Sequence, residues 1–173
     1  MSNTIQINSI KRAIGQLTMR IGVMQVRDAI SDFTDEEGDF NRFKKPLLDL
    51  PVAELDSKYY FTSWENWEKV IATINPILEQ FNWKQERFDC DDRALLVTAL
   101  TALFFEINTV RPLYCDVYRV GDGQFAFTHY ANVIVDINGN AWLWDVDEFG
   151  KFTKITSNNV IINNKRYVLK AIK

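Results

Sequence analysis

Phe88-Asp89-Cys90-Asp91-Asp92 leads straight into Arg93-Ala94-Leu95-Leu96-Val97-Thr98-Ala99-Leu100-Thr101-Ala102-Leu103-Phe104-Phe105, and the reading of this stretch decides the fold. Apolar residues fall on nearly every side of a helical wheel. That predicts a helix from Asp91 to about Ile107, buried on most faces. Asp89 is a natural N-cap and Asp91 and Asp92 suit the first turn, which places Cys90 near position N1. Free N–H groups at such a terminus favour a thiolate and can receive an oxyanion. The three neighbouring carboxylates act against the thiolate, so a protonated histidine or a cation is needed to offset them.

Upstream, Ser63 is a helix N-cap, followed by Trp64, Trp67, Val70, Ile71, Ile74 and Leu78 at spacings of three and four. The spacing predicts a helix over 63–80, ended or kinked at Pro76. A loop with Asn82, Trp83 and Gln85 then leads to the cysteine. Residues 5–30 carry apolar spacings that fit both helix and strand in places. From Asp28 to Asp56 the chain is acidic and broken by Gly38, Pro46 and Pro51, and reads as loop with short turns.

Downstream of Pro112 the pattern changes to strands at 113–120, 125–136, 141–147, 151–155 and 158–171. Gly121-Asp122-Gly123 and Asn138-Gly139 are turn signals, the second a strong hairpin signal. Helices followed by antiparallel strands imply an α+β fold in a single domain, residues 1–173. Its parts are an N-terminal helical and loop part (1–60), a helical part with Cys90 (61–110) and an antiparallel sheet (111–173).

With 173 residues, 47% of them hydrophobic and 13% aromatic, the chain can bury a real core. A net charge of −3 argues against general nucleic-acid binding. Lys11, Arg12, Arg20 and Arg27 make the first stretch basic, as Lys151, Lys154, Lys165, Arg166, Lys170 and Lys173 do the last. Both read as solvated faces. The tail at 158–173 fits an edge strand or a partner contact. No apolar run approaches the roughly 18 residues of a membrane span, and the start lacks a signal-peptide core. Two cysteines make no disulfide scaffold, so a cytoplasmic protein with free thiols, and no membrane partner, is expected.

A thiol nucleophile needs a base, and the base an orienting carboxylate. His129, in Phe125-Ala126-Phe127-Thr128-His129-Tyr130, is the single histidine, so any Cys–His chemistry must use it. Asp145 closes Ala141-Trp142-Leu143-Trp144-Asp145, a run too apolar to host a carboxylate without a partner. A two-residue turn at Asn138-Gly139 would pair His129 with Glu148 and put Asp145 on the opposite face. An odd-length loop or a bulge would bring Asp145 to the face of His129. Asp145 is the first choice, Glu148 the second and Asp147 the third. Gln85 and Trp83 are candidate side-chain donors to an oxyanion. Asp89, Asp91 and Asp92 with Glu148 form a candidate calcium set, without the Gly and alternating spacing of an EF-hand loop. Cys115 and the tryptophans at 64, 67, 142 and 144 read as structural.

A cysteine at an acidic helix start, then a histidine, then an aspartate on the next strand resembles the papain-like fold in its transglutaminase-like form, over roughly residues 60–155. The resemblance implies a central helix carrying Cys90 packed on an antiparallel sheet, with Cys90 as nucleophile, His129 as base and Asp145 as orienting acid. It implies a thiol peptidase, amidase or acyl transferase acting on a protein or peptide, with no required cofactor. In the similar papain-like domain of some fungal lectins, acidic residues beside the cysteine bind calcium. The papain run Cys-Gly-Ser-Cys-Trp is absent, and Gln85 stands one residue nearer the cysteine than the family spacing. The alternative is a non-catalytic binding protein on the same fold.

Overall fold

The computed structural model describes residues 36–81, 89–148 and 151–173. The ambiguous segment at 5–30 lies outside them. A short strand, β1 (Glu36–Gly38), precedes a one-turn helix, α1 (Phe40–Lys44), and pairs antiparallel with β2 (Tyr59–Phe61). The region read as loop therefore contains regular structure, and Phe43, Leu47, Leu50, Tyr59 and Phe61 reach the main core.

α2 runs from Trp64 to Leu78, with the Ser63 side chain accepting from the N–H of Asn66. Pro76 does not end it. The helix continues through Pro76 to Leu78, because a proline so near the C-terminus removes a single ladder bond. α3 spans Cys90–Phe105 and ends at Glu106, which adopts the left-handed conformation at φ 59°.

The strands that follow are β3 (Val110–Arg119), β4 (Phe125–Val135), β5 (Ala141–Asp145), β6 (Lys151–Lys154), β7 (Asn159–Ile162) and β8 (Lys165–Ile172). They form one antiparallel sheet in the order β6-β5-β4-β3-β8-β7, whose edges β6 and β7 approach each other, so the sheet is nearly closed. The expected single strand at 158–171 is a hairpin instead. Asn163 and Asn164 turn it with φ of 48° and 61°, the pair of positive values that a two-residue primed turn requires. β8 accordingly lies inside the sheet, between β3 and β7, rather than at an edge.

Alternation sorts the strand residues into two cores. Ala131, Val133, Val135, Ala141, Leu143, Tyr167 and Leu169 point into the nearly closed sheet. Ile134 and Trp144 point outward, onto Val97 and Phe105 of α3 and Trp67, Val70 and Ile74 of α2. Each such side chain contributes about 1.5–3 kcal/mol when fully buried.

The register between β4 and β5 pairs Val135 with Ala141 and Asn132 with Trp144. Asp136 N donates to Asn140 O at 3.0 Å, which leaves a three-residue loop, Ile137–Gly139. Gly139 supplies the positive φ, 72°, that this loop length needs. The buried Asp136 carboxylate clamps it, accepting from Asn138 N at 2.9 Å, Asn140 N at 2.9 Å and Trp142 Nε1 at 3.0 Å. With Asn140 Nδ2 also donating at 3.0 Å, replacing Asp136 by Ala strips an acceptor from four donors at once. We expect a loss on the order of 3 kcal/mol in urea unfolding. A change under about 0.5 kcal/mol, the level of an ordinary surface substitution, would show that the clamp is not needed.

Candidate active site

The odd-length loop puts His129 and Asp145 on the same, inward face of neighbouring strands. On β4 the residues before His129 are exposed and those after it are largely buried, so the imidazole stands at the rim of the sheet. It is only 6% exposed. Its Nε2 lies 3.1 Å from Asp145 Oδ1. Asp145 is 1% exposed and satisfied on both oxygens. Tyr167 OH donates to Oδ2 at 2.6 Å from β8, and the backbone N–H of Asp147 donates to Oδ1 at 3.0 Å. A carboxylate held this way only accepts, so Nε2 carries a proton.

Cys90, half-buried, is the first residue of α3, and its side chain stands close enough to His129 to act on the imidazole's pKa. Burial on its own would lower the imidazole's pKa. The hydrogen bond with Asp145, the Cys90 side chain and the charges of both outweigh it and push the pKa up to about 10. For Asp145, burial works toward a raised value, and the hydrogen bond and charge of His129 with the Tyr167 hydroxyl reverse it, leaving the carboxyl below its usual range. The single histidine is therefore an imidazolium at neutral pH, a positive charge beside Cys90 and the acids at the helix start.

The acids at the helix start behave differently from the expectation. Asp89 occupies the N-cap position, but its side chain makes no capping bond. It lies against Asp91 instead, and its carboxylate, with burial, raises the pKa of Asp91. The oxygens of Asp89, Asp91 and Asp92 come within 4.8 Å of one another. Glu148 is not among them. It pairs with Lys165 and accepts from Asn163 Nδ2 at 2.6 Å, so the structure sets it with the β7–β8 turn, away from both proposed roles. Gln85 and Trp83 lie outside the described residues.

Two participants escaped the sequence reading, Tyr167 and Arg93. Tyr167 reaches Asp145 only because β8 lies beside β3, a pairing no local pattern announces. Asp147 stands next to the site as well, but its carboxylate meets Arg93 Nη1 at 2.8 Å rather than the imidazole. Cys115 is buried directly opposite His129 in the ladder, its thiol donating to the His129 carbonyl at 3.4 Å. Burial, with the charges of Asp145 and Cys90, raises its pKa and keeps it an inert thiol. Phe127, two residues along β4, meets the His129 ring edge-on at 5.8 Å.

With one histidine, the imidazole signal in a proton NMR titration of the untagged protein is unambiguous. Its midpoint should lie well above 6.5, near 10, and fall in Cys90→Ala, which removes one of the raising partners. A wild-type midpoint at the ordinary 6.5 would break the coupling described above. Linkage fixes the sign for stability. A folded-state pKa above the unfolded 6.5 gives stabilisation that is whole below that pH and disappears as the pH climbs toward 10. The melting temperature should fall over that interval, and fall less in His129→Gln.

No family model, curated protein or solved structure matches the chain.

Proposed function

We propose that the protein is a thiol-dependent acyl-transfer enzyme of papain-like or transglutaminase-like type, a peptidase, amidase or transglutaminase-like transferase working on protein or peptide acyl groups. The observation that carries the reading is one imidazole bound by a buried carboxylate at Nε2, with a helix-start cysteine close enough to raise its pKa. Cys90 Sγ, as thiolate, attacks the substrate carbonyl carbon, and the carbonyl π electrons move onto oxygen. The backbone N–H of Cys90, which as part of the first helical turn has no partner within the helix, is the donor for that oxyanion. Collapse expels the amine or alcohol, which takes its proton from His129. The thioester left on Cys90 is attacked by water or an amine, whose proton passes to His129, and the thiolate departs. Asp145, fixed by Tyr167, holds the ring throughout.

The test is the rate of iodoacetamide labelling at pH 6.5, read by peptide mass spectrometry, with buried Cys115 as internal reference. Cys90 should label far faster than Cys115. His129→Ala should slow Cys90 by on the order of a hundredfold, the scale of a lost acid–base partner. A nitrophenyl ester should leave an acyl adduct on Cys90 that Cys90→Ser lacks. Labelling of Cys90 that is equal in wild type and His129→Ala would leave the non-catalytic binding reading in its place.

A calcium-dependent form of the same enzyme is a second reading, supported by the convergence of Asp89, Asp91 and Asp92 on one point. Calcium should then speed Cys90 labelling and a chelator slow it. Identical rates in both would discard the ion.

A further inference from the structure

Arg93 comes one helical turn after Cys90, so the two side chains leave the same face at the start of α3. Asp147 comes two residues after Asp145, in the single 3-10 turn, Val146–Glu148, that follows β5. Arg93 Nη1 meets Asp147 Oδ1 at 2.8 Å, and the N–H of Asp147 meets Asp145 Oδ1 at 3.0 Å. Asp145 in turn holds His129, whose ring lies close enough to Cys90 for the thiol to act on its pKa. The path runs from the helix turn through guanidinium, carboxylate, backbone and orienting acid to the imidazole beside the thiol.

Arg93 is buried, and its Nε makes no hydrogen bond among the described residues. A buried guanidinium with an unpaired nitrogen is costly for folding, and an apolar side chain would serve the packing better. Asp147 is half-buried, and its oxygen lies within 4.8 Å of ligand atoms of both His129 and Asp145. Left unpaired, it would compete with Asp145 for the ring. The groups facing His129 are thus Asp145, Cys90, Asp147 with its Arg93, and the rings of Tyr167 and Phe127.

We propose that Arg93 and Asp147 are positioning residues: their ion pair fixes the start of α3 to the turn after β5, setting the Cys90 thiol against the imidazole and keeping Asp147 off the ring. The inference rests on the thiol chemistry proposed above and adds two residues to it. Neither touches the reacting atoms.

Three variants test it: Arg93→Met, Asp147→Asn and the double variant. Each is followed by the His129 NMR titration, iodoacetamide labelling of Cys90 and melting temperature. Arg93→Met leaves an uncompensated carboxylate beside the imidazole and should raise the titration midpoint. Asp147→Asn leaves an uncompensated guanidinium and should lower it. The double variant removes both charges, so it keeps the fold even where a single variant loses it. Its midpoint should return close to wild type while Cys90 labelling stays slower by roughly tenfold or more, since a displacement of about an ångström suffices for that. A role in packing alone would move the melting temperature without opposed midpoint shifts. A double variant labelling at the wild-type rate overturns the proposal, as do single variants whose midpoints move the same way. The His129→Ala control keeps the two ideas separable: a slow His129→Ala with a fast double variant sinks the positioning role and spares the thiol reading.

Discussion

The three-residue loop between Asp136 and Asn140 decides which side chains of β4 and β5 can meet. A loop one residue shorter would rotate the whole of β5, turning Asp145 to the helix side and Trp144 inward. The constraint is electrostatic as well as steric. One carboxylate gathers two backbone N–H groups, an amide and an indole. Apolar burial then reinforces the choice, because Leu143 fits the inner core and Trp144 the layer under α2 and α3. The site inherits its geometry from this hairpin.

Acidic groups surround the thiol, and three different devices keep them from defeating it. Asp145 is spoken for by an imidazole, a phenol and a backbone N–H. Asp147 is turned toward a guanidinium. Asp91 lies against Asp89, which raises its pKa. The imidazolium adds a positive charge beside Cys90.

Local signals in the sequence translated well. The Ser63 cap and the three-and-four spacing after it define α2, and the unbroken apolar run after Asp92 defines α3. Asn138-Gly139 marked where the chain turns but left the size of the turn open, because the deciding atom belongs to Asp136. Asn163-Asn164 is an equally tight turn, hidden within a run of strand-forming residues on both sides. Tyr167 was invisible for a different reason: its partner is set by strand order, which has no local signature. Arg93 reads in sequence as one charged residue in a helix and gains a partner only when β5 ends beside that helix. Cys90 and His129 stood out because cysteine at a helix start is chemically unusual and the chain holds one histidine.

The halves of the site differ in how far the chain must travel to build them. His129 and Asp145 are 16 residues apart, joined by a tight hairpin, so closing that loop is entropically inexpensive. The docking of α3 on β4 spans more than twice that distance, 38 residues at the Asn132–Ala94 hydrogen bond. The acid–base pair is a local product of the hairpin, while the thiol arrives by a long-range contact of higher contact order. The site is thus coupled to completed tertiary structure: a chain with its hairpin formed and α3 undocked holds the His129–Asp145 pair without Cys90 beside it.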